Sequence, residues 1–439
     1  MSRRNEDFDE YCDPENPRPI KYADVMDAAN RLKPHILNAP CVPSNQQREF
    51  VMNLYYKCEN LQKSGSFKER GSLNALQLLP LDKKKLGVVV ASIGNDGAGL
   101  CCHASKMGIP VIVVMPSSTP ISKLQKCLSL GAKVVVQGGN LMEAQRYARA
   151  IARDKGLTYI NGRDHPHVLA GYGTLALEIV EQVPNVDAVL VPVGSGGLAS
   201  AICAMIKAIK PACLVYGVQP EVMPTFFKSL ENGDPVIIPV TQTLADAITT
   251  PNVGVNSFSN AQQLLDKMLL VKEDWIARSI LHLVEKERYV VEGAGACPLA
   301  AIIGNLVPEL KLKNVVCILS GGNIDQITLT RCIERGLSAE GRLVKFGVGI
   351  QNTLAANTQL LKLLSNGGYN VVRQFRDNWW TEDETYHVEV KLVCETTGMD
   401  HALELKRIIE RAYPCTSVFE TEPFNDKRTC PCYVRKSIT

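Results

Sequence analysis

Lys68 stands between an aromatic residue and small ones in the run Ser64-Gly65-Ser66-Phe67-Lys68-Glu69-Arg70-Gly71. A lysine amine that is partly desolvated can condense with an aldehyde, which opens covalent amine chemistry. Alone, this setting also fits any solvated lysine near a turn. Two further segments add weight. Gly194-Ser195-Gly196-Gly197-Leu198 follows the apolar run 188–193 and precedes a helical pattern from Ala199 to Ile209. Bare N–H groups at a helix N-terminus make a site for an anion such as phosphate. The glycine spacing fits neither GxGxxG nor GxxxxGK[ST], which sets aside nicotinamide and nucleotide sites of those kinds. Ser320-Gly321-Gly322-Asn323 closes another apolar run, 315–319.

Two more turns carry polar side chains. Ser92-Ile93-Gly94-Asn95-Asp96-Gly97 joins the apolar run 86–91 to a helical stretch, where Asn and Asp serve as caps. Val291-Glu292-Gly293-Ala294-Gly295-Ala296 follows a charged helical stretch from Lys272 to Arg288, and by itself reads equally as a surface glutamate. His103, His165, His167 and His282 show no metal-ligand spacing, so no metal site is expected.

Together these segments resemble the pyridoxal-phosphate enzymes of fold type II, and within them the serine/threonine dehydratases (threonine ammonia-lyases), from about residue 20 to 335. The resemblance implies that Lys68 holds pyridoxal 5'-phosphate as a Schiff base and then acts as the catalytic base. It places Phe67 beside the cofactor ring, Asn95 on its 3′-oxygen, and Ser320 at the pyridine nitrogen. Gly194, Ser195, Gly196, Gly197 and Leu198 would hold the phosphate, and Glu292 would face the cofactor. Ser92, Gly94, Asn95 and Asp96 would receive the substrate carboxylate. Ser320, a neutral hydroxyl, leaves the ring a weaker electron sink, which favours β-elimination.

Several positions depart from the family. Asp96 stands where His is usual, Tyr172 where Gln is usual, and Ala247 where Gly is usual. Ile93 replaces the serine that gives serine racemases a second acid–base group, so racemisation is disfavoured. Gln219 stands near the glutamate that binds a divalent cation in some racemases. Asp96 is expected to cap its helix and point outward. The function implied is an L-threonine/L-serine ammonia-lyase. The alternatives are a serine racemase, a β-replacement enzyme, or a catalytically impaired sensor of cofactor or amino acid.

The elements that must position these residues are legible as short β-branched runs at 86–91, 111–115, 134–136, 188–193 and 315–319, each feeding a helical stretch. That pattern means βαβ units and parallel sheets in an α/β protein, and the resemblance implies two subdomains over residues 21–335, the smaller roughly 70–170. Residues 1–20 are polar and proline-bearing and are expected to be a disordered arm. Beyond Gly341 the order βαββα over 340–415, led by Glu340-Gly341-Arg342-Leu343-Val344-Lys345-Phe346, resembles an ACT domain. An ACT domain implies an amino-acid effector, but Gln351-Asn352-Thr353 replaces the usual Pro–Gly turn, and an assembly module is the alternative. Residues 416–439 read as a tail.

Length (439 residues) requires more than one domain. A net charge of +3 gives no reason to expect nucleic acid or a membrane surface as partner. The fifteen cysteines lack paired CxxC spacing and several sit in apolar runs, which suits reduced thiols. With no signal-like apolar run at the N-terminus, a cytoplasmic protein is expected, and the family implies a homodimer or homotetramer.

Overall fold

The structure is a computed structural model that describes residues 9–377, 386–414 and 416–420. It divides into two units, Met1–Leu329 and Thr330–Thr439, with the division falling inside the helix Gln326–Ala339.

The first unit is α/β with two sheets. A four-stranded parallel sheet has the order Lys133–Val136, Val111–Met115, Val88–Ala91, Thr158–Tyr159. A six-stranded sheet has the order Cys41–Pro43, Asn53–Lys57, Asn314–Ile318, Ala188–Pro192, Leu214–Pro220, Lys267–Val271. Its pairings are parallel except for Cys41–Pro43, which runs antiparallel to its neighbour. Every residue of Val88–Ala91 and Ala188–Pro192 is buried, because helices cover both faces of each sheet. The five strands at 41–43, 53–57, 158–159, 214–220 and 267–271 went unread in the sequence.

A buried ionic network anchors the helix Lys68–Gln77. Arg70 donates to Glu59 from Nε and Nη2 at 2.8 Å each, and to Glu178 from Nη1 at 2.6 Å. Lys57 Nζ lies 2.6 Å from Glu178, so two carboxylates face two cations. Buried charges hold only when matched in this way.

The arm expected to be disordered is described from residue 9 onward and is pinned there. Arg18 N donates to Asn256 Oδ1 at 2.7 Å, Asn256 Nδ2 donates to Tyr11 O at 2.7 Å, and Tyr11 packs on His165 at 4.3 Å. Buried polar groups on the 255–261 helix need partners, and the arm supplies them.

The second unit has its own sheet, in the order Asn370–Asp377, His387–Glu395, Leu343–Gln351, Ser417–Phe419, all antiparallel. Alternate residues of the Leu343–Gln351 strand (Val344, Phe346, Val348 and Ile350) pack with Leu360, Leu364, Leu405 and Ile409 from the helices Leu354–Asn366 and Met399–Ala412. Ser417–Phe419 completes the sheet, so the region read as a tail from 416 begins as a strand; Phe419 stacks on Phe346 at 5.3 Å. Cys430 and Cys432 lie outside the described residues. Among the described residues no helix is long and apolar enough to cross a membrane, and the described cysteines are free thiols.

Candidate active site

Lys68 is the first residue of its helix, and the preceding backbone is tied to the end of the strand Asn314–Ile318. Ser66 bridges to Gly321, and Phe67 N donates to Ser320 O at 3.0 Å. The lysine therefore arrives beside Ser320 from a different part of the chain. Its Nζ lies 3.0 Å from Asp96 Oδ1, in an ion pair without hydrogen-bond alignment. It also lies 5.0 Å from the Phe67 ring centre and 5.2 Å from that of Tyr172, so aromatic faces flank the cation. Tyr172 Oη donates to Gly162 O at 2.6 Å, and burial holds its phenol protonated well above the usual range.

Asp96 is not an outward helix cap, contrary to the expectation from its position. The helix Asn95–Ala104 has Gly94 at its N-cap, and Ser92 Oγ accepts from Gly94 N and Gly97 N at 2.9 Å each. With the capping role filled by Ser92, the Asp96 carboxylate turns toward the cavity and Lys68. The same carboxylate packs against Gly162, where an added Cβ would meet its Oδ1 at 2.7 Å.

Glu292 is buried rather than a surface residue. Asn95 Nδ2 donates to its Oε1 at 2.7 Å, and Asn323 Nδ2 donates to Asn95 Oδ1 at 2.8 Å. Burial, with Asp246 adding like charge, lifts the Glu292 carboxyl to about 7, against the opposing pull of Lys123, Asn95 and Lys126. Its Oε2 has no hydrogen-bond partner. Lys123 Nζ is held 2.6 Å from Asp246 Oδ2, while its aliphatic stem fills the space beside Gly94.

The 194–198 loop opens the helix Gly197–Ile209. Among the described residues, the N–H groups of Ser195, Gly196, Gly197 and Leu198 donate to no protein acceptor. Gly196 sits at φ +98°, and a Cβ there would meet the Phe226 ring at 2.4 Å. A Cβ on Gly197 would meet Arg163 O at the same distance. The turn is thus packed from behind, with its donors left free.

Phe67, Lys68, Asn95, Asp96, Gly194, Ser195, Gly196, Gly197, Leu198, Glu292 and Ser320 line one cavity. Ser92 and Gly94 shape the adjoining turn without lining it. Ala247 lines the cavity too. Sequence reading missed Arg163, Lys123 and Thr250, and flagged Tyr172 only as a departure. Arg163, Lys123 and Thr250 belong to none of the turns singled out in the sequence, so no local signal marked them. Gln219 has a structural role, since its Oε1 accepts from Phe226 N and Phe227 N at 3.1 and 3.2 Å.

The profile of the family described as "Pyridoxal-phosphate dependent enzyme" matches residues 32–321. The chain belongs to that family. Its curated relatives include an L-threonine ammonia-lyase of Geobacter sulfurreducens, 36% identical over 88% of this chain and 96% of that protein. An L-threonine ammonia-lyase of Thermotoga maritima is 37% identical over 89% of this chain and 97% of the relative. Among solved structures, the processed form of threonine deaminase isoform 2 from Solanum lycopersicum superposes with a TM-score of 0.67 at 30% identity, covering 73% of this chain and 96% of that one. The matched segment contains the whole lined cavity, from Phe67 to Ser320, so the family assignment and the site concern the same part of the chain.

Proposed function

We propose that this protein is a pyridoxal-phosphate-dependent ammonia-lyase that converts L-threonine to 2-oxobutanoate, and L-serine to pyruvate, with release of ammonia. The observation that carries this reading is the convergence on one cavity of the Lys68 amine, four free loop N–H groups and a neutral serine hydroxyl. That donor set fits the cofactor, with an amine for its aldehyde, a cradle for its phosphate, Asn95 for its ring oxygen and Ser320 for its ring nitrogen. When bound, pyridoxal phosphate supplies an electrophilic aldehyde and an electron-withdrawing ring.

Lys68 acts twice in this reading. It holds the cofactor in the resting enzyme and, once freed, its Nζ takes the Cα proton of the substrate. The ion pair with Asp96 must give way for either step. Ser195 to Leu198 fix the phosphate end by backbone N–H groups, with the helix dipole behind them. Glu292 and Asn323 orient Asn95, and the raised carboxyl of Glu292 favours keeping its proton, which avoids an unpaired charge beside the ring. Loss of the β-hydroxyl gives an enamine that water converts to the 2-oxo acid and ammonia. Ile93, which lines the cavity, carries no titratable proton, so a racemase lacks its second base here.

The second unit reads best as an ACT-like domain, by its βαββα order and separate core, serving amino-acid regulation or assembly. A homodimer or homotetramer in the cytoplasm completes the proposal. The test of function is direct: the purified protein, loaded with cofactor, is assayed for 2-oxo acid from threonine and serine. A cofactor-loaded protein that turns over neither amino acid contradicts the reading.

A further inference from the structure

Arg163 is 8% exposed, yet its Nε and Nη1 have no hydrogen-bond partner. Among the described residues no carboxylate lies within ion-pair distance of its guanidinium. A desolvated cation without counter-charge is costly, so such a group points to a ligand that supplies the charge. The nearby carboxylates are committed elsewhere. Asp164 accepts from Ser257 Oγ, Ser257 N and Asn256 N at 2.6, 2.8 and 3.1 Å, Asp9 accepts from Tyr11 N and Asn161 Nδ2 at 3.1 and 3.3 Å, and Asp96 faces Lys68.

Arg163 also has a particular place. It lines the inner cavity with Lys68, and it lines an outer cavity of about 360 Å³ with Arg146, Arg149 and the arm residues Asp9 and Cys12. No residue of Gly194–Leu198 lines the outer cavity, so Arg163 stands between the reacting end and the outside rather than only at the phosphate loop. A guanidinium fork matches a carboxylate with two parallel N–H donors.

We propose that Arg163 is a specificity-determining residue that receives a side-chain carboxylate, so that this site takes 3-hydroxy amino acids bearing a second carboxylate. The inference rests on the ammonia-lyase reading and deepens it. The chemistry is the same elimination: the Cα proton and Cβ hydroxyl leave as water, water returns to the enamine carbon, and ammonia departs to leave a 2-oxo dicarboxylic acid. No oxidant or reductant is needed.

The test uses the full-length, cofactor-loaded protein and two unreactive acids, succinate and butyrate, measured by calorimetry. Wild type binds succinate at least about tenfold more tightly than butyrate, Arg163→Gln abolishes that preference, and Arg163→Lys restores part of it. In turnover, the ratio of kcat/KM for 3-hydroxyaspartate over serine falls by about tenfold or more in Arg163→Gln, carried by KM rather than kcat. Equal binding of the two acids by wild type overturns the proposal, whatever the variants do. It is also overturned if Arg163→Gln weakens succinate, butyrate and serine equally, which makes Arg163 the α-carboxylate partner, or if it loses cofactor, which makes it a phosphate ligand. An Arg163-dependent succinate preference in a protein that turns over no amino acid upholds the subsite and sinks the lyase reading, so the two failures are distinguishable. Should Arg163→Gln not fold, the wild-type preference and its retention in Arg163→Lys decide.

Discussion

Lys68 Nζ and Asp96 Oδ1 lie 3.0 Å apart, so the amine proposed to do the chemistry is held by a carboxylate from the first turn of the helix Asn95–Ala104. In the proposed reading that carboxylate shares the cavity with an incoming amino acid, whose own carboxylate it would repel. Replacing Asp96 by Asn removes the like charge while keeping the shape. A desolvated contact of this kind is worth about 1–3 kcal/mol, so the KM for threonine should fall roughly tenfold. An unchanged KM with unchanged kcat means the two carboxylates do not meet.

Gly196 ties backbone conformation to the proposed phosphate site. At φ +98°, with Phe226 2.4 Å from an added Cβ, any side chain strains the loop, and an acidic one also repels phosphate. Gly196→Asp should lose most cofactor affinity, read by spectroscopic titration with pyridoxal phosphate. Ser195→Gly should be mild, because the donors are main-chain. Full cofactor content in Gly196→Asp would reduce the loop to a packing turn.

Glu292 makes stability depend on pH. Burial raises its carboxyl from 4.5 to about 7, so the folded protein holds this proton more tightly than the unfolded chain does. The stabilisation is complete below the unfolded value and is lost as pH rises through the folded value. The difference amounts to about 3 kcal/mol for a fully buried group. Urea unfolding of the cofactor-free protein at about pH 5 and about pH 8 should show wild type losing stability relative to Glu292→Gln. Parallel pH profiles for the two proteins would contradict the shift.

Arg70 holds the Lys68 helix in place by matching Glu59 and Glu178. Arg70→Ala leaves Glu59 without its cation and Glu178 with Lys57 alone, and should cost roughly 3–5 kcal/mol of unfolding free energy. Denaturant midpoints measure it, and a loss below about 1 kcal/mol would mean the network is incidental.

The glycine-rich turns and the strands that feed them were legible because each carries its own local signature: free N–H groups need small residues, and buried parallel strands need β-branched runs. Lys68, Asn95, Gly194 to Leu198, Glu292 and Ser320 were all named from such turns, and the cavity contains them. The orientation of Asp96 was not legible, because it depends on Ser92 taking the capping bonds four residues earlier. Arg163 and Lys123 were invisible for a similar reason: their neighbours in space come from distant parts of the chain. The arm at 9–20 looked unstructured since its partners, Asn256 and His165, lie far along the sequence.

The central claim is that Lys68 is both the covalent anchor and the proton acceptor. Lys68→Ala, purified and incubated with pyridoxal phosphate, is compared with wild type for the visible absorbance of lysine-bound cofactor and for 2-oxobutanoate formed from threonine. Both signals should be present in wild type and vanish together in the variant. A Lys68→Ala protein that still turns over threonine at the wild-type rate would contradict the account.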